Sequence, residues 1–379
     1  MKWYKGNLHA HSFWSDGHGF PDLIADYFKS AGYHFIAFTE HDCHQVGDRW
    51  IADSEATETG VSLRRYRMLE QHAARFGNSL LPQRHRAGRT EIRLPELKDY
   101  RGLIEEAGKF IILTGEEVTS PWGIGDYDHT NYLNIYGLDR ALGGQPLAST
   151  SLEGIRSVCA LGRSGVVSLN HPNWHYNANA TDIAAAADLR LMEIYTAMGT
   201  CNNDGDDVHP SVETMWDTVL SARLRDPRGH AVYGLATDDC HAYVRDHHVY
   251  SNRSLPGRAW INVRSGALEQ DMILEAVSRG DFYCSTGVAL RELASDDTGI
   301  QIEIEPQHGV RYVTRFVGTT MTGSIGDVLG EDDSLEPKYE FAGDELYVRA
   351  VVQSSSPHPI PHRPGEFQRA WTQPVAGHS

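Results

Sequence analysis

Five strand-like runs along this chain, most of them strongly apolar, each end in residues of a metal-binding type. Residues 3–8 run into His9 and His11, and residues 34–39 into Glu40 and His41. Residues 110–114 lead to Glu116 and Glu117, 166–169 to His171, and 232–236 to Asp239 and His241. A short continuous apolar run is the mark of a buried parallel strand, and sheets of such strands place their chemistry at the carboxyl ends. Residues far apart in sequence are therefore predicted to meet on one face of one sheet. That is the geometry of a multinuclear metal site.

Local spacing points the same way. In His9-Ala10-His11 and Asp239-Cys240-His241 the outer residues are two apart, so on a strand they share a face while Ala10 and Cys240 turn into packing. Imidazole and carboxylate donors without thiolate suit zinc, manganese or iron better than a structural zinc knot. A carboxylate such as Glu117 can bridge two ions, which a neutral imidazole cannot readily do.

The 379 residues allow a large core and two domains. The net charge of −17 is unfavourable for binding a nucleic-acid backbone, and the one basic loop, from Arg84 to Arg89, is short. No run approaches the ~18 apolar residues of a membrane helix, and the start of the chain has no signal-peptide core. Five scattered cysteines argue for a reducing compartment, with the cytoplasm as the default. The expected partner is a small-molecule substrate, and the sequence leaves the oligomeric state open.

Along the chain, Pro21 sits where a first helical residue would, and Phe20, Leu23, Ile24, Tyr27 and Phe28 share one helical face. With its flanking strands this is a strand–helix–strand unit, which favours a parallel sheet with helices outside. Residues 43–109 break the rhythm. They read as an insertion at the ligand-bearing end, with helices over 62–75 and 95–108. Strands are expected again near 110–115, 130–136, 165–170, 189–196 and 231–237, and helices near 151–161, 211–224 and 268–279. Beyond residue 287, Ile300, Ile302 and Ile304 alternate with polar residues, and further strands over 310–317 and 345–352 make a small β-rich domain.

At His9-Ala10-His11, Ser15-Asp16-Gly17, Thr39-Glu40-His41-Asp42, Gly115-Glu116-Glu117, Asn170-His171-Pro172 and Asp239-Cys240-His241, the chain resembles the polymerase and histidinol phosphatase (PHP) family. The tracts 3–42, 171–174 and 281–283 look closest to its carbaryl-hydrolase-like branch. The resemblance implies an α/β fold, a distorted (β/α)7 barrel over residues 1–286, followed by the small β domain over 287–379. It also implies two or three divalent ions. His9, His11, Glu117 and Asp239 would hold one. Glu117, His129 and His171 would hold a second, with Glu117 bridging, and Asp16, His41 and His241 the third. One position departs from the pattern: Glu40 stands where the family commonly has aspartate.

These readings point to a hydrolase that uses a metal-bound hydroxide, with a phosphate monoester or diester as the expected substrate. A carbamate, ester or amide is the rival substrate class, and a non-catalytic metal-stabilised binding module is the alternative of another kind. Glu117 is the central catalytic candidate. His44, Trp174 and His175 follow ligand positions, so they are candidates to line the pocket, with the two histidines able to donate a proton. Glu116 is expected to point away from the site. Asn202, Asn203, Asp206 and Asp207 are expected to form a turn at the active face.

Overall fold

The computed structural model describes residues 1–53, 67–77, 81–243 and 255–377. The first unit is as the sequence indicates: β1 (Lys2–Asn7), α1 (Pro21–Ser30) and β2 (Phe35–His41), with β1 and β2 parallel. Pro21 opens α1, and Ile24, Ala25 and Phe28 are its buried side. The insertion supplies β3 (Trp50–Ala52), α2 (Met68–Phe76), β4 (Gln83–Arg86), β5 (Arg89–Arg93) and α3 (Leu97–Ile104), with β3, β5 and β4 forming a separate sheet. Residues 62–66 of the expected insertion helix lie outside the described residues. Met68, Leu81, Ile92 and Leu94 pack on Phe13, Trp14 and Phe20, so the insertion clamps the loop that follows His11.

The main sheet continues through β6 (Ile111–Pro121), β7 (Thr130–Tyr136), α4 (Ser151–Leu161), β8 (Val166–Leu169), α5 (Ala180–Ala185), β9 (Leu191–Thr196), α6 (Val212–Leu224) and β10 (Tyr233–Thr237). One expectation needs correction, because the sheet is not parallel throughout. β7 runs antiparallel to both β6 and β8. Only a short link with a single 3-10 turn joins β6 to β7, too little chain for a parallel crossover. The start of β7 therefore lies on the rim where β6 and β8 end.

The strand order is β10-β9-β8-β7-β6-β2-β1, and a parallel bridge between Ala10 and Cys240 joins the chain beyond β1 to the chain beyond β10. The two edges of this run thus curl towards each other. Helices cover the outside: Ile155 and Val158 of α4 and Val219 and Leu220 of α6 pack against Leu113, Leu133, Leu191 and Leu235 of the strands.

On its other side β1 pairs with β11 (Trp260–Ser265), which is followed by α7 (Gln270–Ser278) and β12 (Phe282–Ser285). The remaining strands are β13 (Leu290–Asp296), β14 (Gly299–Ile304), β15 (Tyr312–Thr320), β16 (Asp327–Asp332), β17 (Lys338–Glu340), β18 (Glu345–Pro357), β19 (Phe367–Thr372) and β20 (Val375–Ala376). The main sheet runs on without a break from β12 into β19, β18, β15 and β16, while β13, β14 and β17 form a second small sheet. The result is a mixed α/β fold with one large irregular sheet and a β-rich C-terminal part. Buried Arg349 of β18 makes a two-pronged bond to Asp217 of α6, with both distances 2.8 Å. No helix among the described residues is long and apolar enough to cross a membrane.

Candidate metal centre

The strand ends do converge. The alternation predicted for the two histidine-bearing triplets is present: Ala10 and Cys240 are buried in an apolar cluster with Phe28, Phe38 and Tyr100. The flanking His9, His11 and Asp239 are buried on the opposite face. Three overlapping sets of donors have all their ligand atoms within 4.8 Å of one another: His9, His11 and Glu117; His9, His171 and Asp239; and His11, Asp16, His41 and His241.

Glu117 lies at the centre, and its two oxygens face different partners. One oxygen is 3.3 Å from His9 Nε2 and 3.2 Å from His171 Nε2. The other is 3.2 Å from His11 Nε2 and 3.2 Å from His41 Nδ1. Asp239 Oδ1 is 3.3 Å from His9 Nε2 and 3.4 Å from His11 Nε2. Asp16 Oδ1 is 3.3 Å from His241 Nε2 and 3.6 Å from His41 Nε2.

These lengths discriminate between two arrangements. A charge-assisted histidine–carboxylate hydrogen bond measures ~2.7–2.9 Å. Two donors on one tetrahedral ion, each ~2.1 Å from it, are ~3.4 Å apart. The central contacts match the second spacing. His9 shows the contrast within one ring: Nδ1 makes a 2.7 Å bond to Glu193, while Nε2 has no hydrogen bond among the described residues. His11 Nε2 is likewise buried without one. Buried polar atoms are almost always paired, so two such nitrogens aimed at shared carboxylates fit a divalent ion between them.

Electrostatics agrees with this reading. Burial opposes the charge of Glu117, but His9 and His41 hold its carboxyl well below the usual range. Burial also works against charging His9, yet Asp239, Glu117 and Glu193 raise its pKa well above normal. His241 reaches about 9, because Asp16 and then Asp239 outweigh its burial. Without ions, the carboxylates hold protons on the histidines, and divalent cations neutralise the same negative charge.

The backbone is shaped for this convergence. His171 (φ 25°) and Asp239 (φ 46°) occupy the left-handed region, a strained choice for residues other than glycine. A Cβ on Gly17 would lie 2.3 Å from the His11 carbonyl carbon, so only glycine lets the loop fold back and bring Asp16 over the cluster. Glu40 accepts from Ser12 N (3.1 Å), Ser15 Oγ (2.5 Å) and Gln45 Nε2 (2.7 Å). Its extra length thus pins the Asp16 loop instead of orienting His41.

Other anticipated residues are placed as follows. Glu116 turns away and accepts from the backbone of Leu142 and Gly143. His129 reaches the rim because β7 is antiparallel, but its Nδ1 bonds Asp126 at 2.5 Å, its ring packs on Trp122, and it joins none of the three donor sets. His44 is buried and does not line the cavity above the cluster. That cavity, of roughly 730 Å³, is walled by Tyr127, Tyr132, Trp174, His175 and Met198. Asn203 and Asp206 form turns, bonding the backbone of Thr196 and of Val208 and His209. In the C-terminal part, His358 and His362 bond the carbonyls of Arg258 and Met198 and belong to no donor set.

Sequence reasoning missed Glu193. Fully buried in β9, it accepts from His9 Nδ1 (2.7 Å), His171 N (2.8 Å), Thr196 Oγ1 (2.7 Å) and Thr237 Oγ1 (2.7 Å). Burial disfavours its charge, but His9 brings its pKa below normal. The available signal was a single carboxylate inside an otherwise apolar strand, which cannot stay buried without donors.

A scan against models of protein families finds no match, and neither does a search of curated proteins. Among solved structures, the chain is similar to a two-domain protein from Bacteroides vulgatus containing a predicted PHP-like metal-dependent phosphoesterase. The identity is 12%, with 98% of this chain and 95% of that chain covered and a TM-score of 0.39. It is also similar to a candidate metal-dependent phosphoesterase from Bifidobacterium adolescentis, at 12% identity over 62% of this chain and 87% of that one, with a TM-score of 0.31. Likeness this distant identifies no chemistry, so the site is read from its own residues.

Proposed function

We propose that this chain is a metal-dependent hydrolase of the PHP type, acting on a phosphate monoester or diester. The observation that carries the proposal is the division of Glu117, whose two oxygens each face a pair of imidazole nitrogens at 3.2–3.3 Å. In this reading the curled strands are a distorted seven-stranded barrel over residues 1–286, and the β-rich part over 287–379 supplies no ligand.

His9, His11, Glu117 and Asp239 would hold one ion, and Asp16, His41 and His241 another. Glu117 and His171 offer two donors to a further ion, and His129 would have to turn from Asp126 to complete that set. Ions bound there lower the pKa of water towards ~7 and polarise the oxygen of the scissile group. The protein's own part is positioning. Glu193 holds the Nδ1 proton of His9 and so keeps Nε2 as the donor atom. Asn170 donates to Glu117 at 2.8 Å and fixes the carboxylate plane. Tyr127, Tyr132 and Trp174 form an apolar wall that displaces water from the group being released.

That wall also supports a second reading. Among the described residues no lysine or arginine lines the cavity, which suits an uncharged carbamate, ester or amide. A hydrolysis screen separates the two, using protein loaded with manganese, zinc or iron on phosphate esters and on carbamates. Metal-dependent release of phosphate supports the first reading. Turnover of carbamates alone supports the second, and no turnover of either class contradicts both.

A further inference from the structure

The hydrolase reading leaves open what protonates the departing oxygen. The loop after His171 folds back at the mouth of the cavity and presents His175. His175 (φ 53°) and Tyr176 (φ 54°) are consecutive left-handed residues, an arrangement that L-residues rarely adopt unless their surroundings enforce it. Here they do. The Tyr176 ring stacks on His209 with centroids 3.6 Å apart, and its hydroxyl donates to Asp206 at 2.6 Å. The His175 ring sits between Trp174, edge-on at 4.4 Å, and Tyr127, stacked at 6.0 Å.

His175 differs from the cluster histidines in its carboxylate contact. Its Nδ1 is 2.9 Å from Asp128 Oδ1, the length of a charge-assisted hydrogen bond and shorter than the 3.2–3.4 Å spacings at the centre. It also belongs to none of the donor sets. The bond fixes the proton on Nδ1, and the ring's other nitrogen, Nε2, has no hydrogen bond to a described residue. Asp128 comes from the turn before β7 and His175 from the loop after β8, so two separate elements assemble this pair on the rim.

We propose that His175 is the general acid of the site and Asp128 its positioning residue, an inference that rests on the phosphate-ester reading. In the step, the oxygen of water bonds to phosphorus while the bond from phosphorus to the leaving oxygen breaks. The leaving oxygen keeps the electron pair and takes the proton from His175 Nε2, so an alcohol departs. His175 is left neutral, still donating from Nδ1 to Asp128. The proton given up by the attacking water restores it, so water and ester become alcohol and phosphate with nothing left over.

The test compares leaving groups on the manganese-loaded full chain. Ethyl phosphate releases an alkoxide that needs a proton, whereas 4-nitrophenyl phosphate releases a stable phenolate that does not. His175→Ala is expected to lower kcat/KM on ethyl phosphate by ~100-fold or more and on 4-nitrophenyl phosphate by less than about tenfold, the range of general-acid catalysis. Asp128→Asn should show a smaller loss with the same bias, at unchanged metal content. Equal losses on both esters, or no loss on ethyl phosphate, would overturn the assignment while leaving the hydrolase reading intact. Failure of the wild-type protein to turn over any phosphate ester would remove that reading and the proposal together.

Discussion

Replacing Glu193 with glutamine preserves shape and removes the charge, and its consequence can be worked out atom by atom. All four groups around the carboxylate are donors as they stand: His9 Nδ1 and Thr237 at one oxygen, the His171 amide and Thr196 at the other. A glutamine must point its NH2 at one of these pairs. Facing the His171 amide, it meets a donor that cannot reverse. Facing His9, it is satisfied only if Nδ1 becomes an acceptor, which moves the ring proton to Nε2 and blocks the nitrogen aimed at Glu117 and Asp239. Either way a metal donor is disturbed, His171 through its displaced backbone or His9 through its ring proton. Loss of an outer partner of this kind costs ~10–100-fold in metal affinity, about 1.4–2.7 kcal/mol. Isothermal titration of the ion-free protein with zinc or manganese, beside the wild type, measures it. Unchanged affinity in Glu193→Gln, with a correctly folded protein by circular dichroism, would refute the argument that Glu193 sets the His9 tautomer.

Glu117→Gln should lose at least one ion and lower hydrolysis by ~100-fold or more, about 2.7 kcal/mol of transition-state stabilisation, measured on samples of known metal content. Gly17→Ala should push the Asp16 loop off the His11 backbone and reduce the metal count by one by elemental analysis, with the His9, His11 and Glu117 set retained. Glu366 links the C-terminal part to β9 through the Tyr195 hydroxyl at 2.9 Å. Burial opposes its charge, but Tyr195, Arg369 and the His362 amide bring its pKa below normal. A lowered carboxylate pKa stabilises the fold above the unfolded value of ~4.3 and ceases to do so as pH falls through the folded value. Urea unfolding of wild type and Glu366→Gln should therefore differ near neutral pH and converge in acid.

Strand ends were readable because burial imposes a period on the sequence and ligands interrupt it: residues 166–169 and 130–136 appear as strands at those bounds. The paired motifs were readable because the alternation carries on past the ends of β1 and β10, where Ala10 and Cys240 bridge and turn into packing. The direction of β7 was not, because 130–136 is buried throughout and reads as a strand in either orientation, and only the short link before it decides. His129 shares that ambiguity: it stands before β7, so its place on the rim depends on the direction of that strand, and its bond to Asp126 forms within the turn that leads into it. Glu193 was hidden because it bonds across four segments, none of which names the others. The link from β12 to β19 joins residues 283 and 372, and no local pattern reports a pairing over that distance.

The most direct test of the account is the metal itself. Protein purified without chelator and saturated with manganese, zinc or iron can be analysed for metal per chain and its crystals measured at the absorption edge. The account predicts two or three ions per chain, with anomalous peaks ~3.5–4 Å apart beside Glu117, one of them within bonding distance of His9, His11 and Asp239. Fewer than two ions at saturation, or peaks away from Glu117, would contradict it.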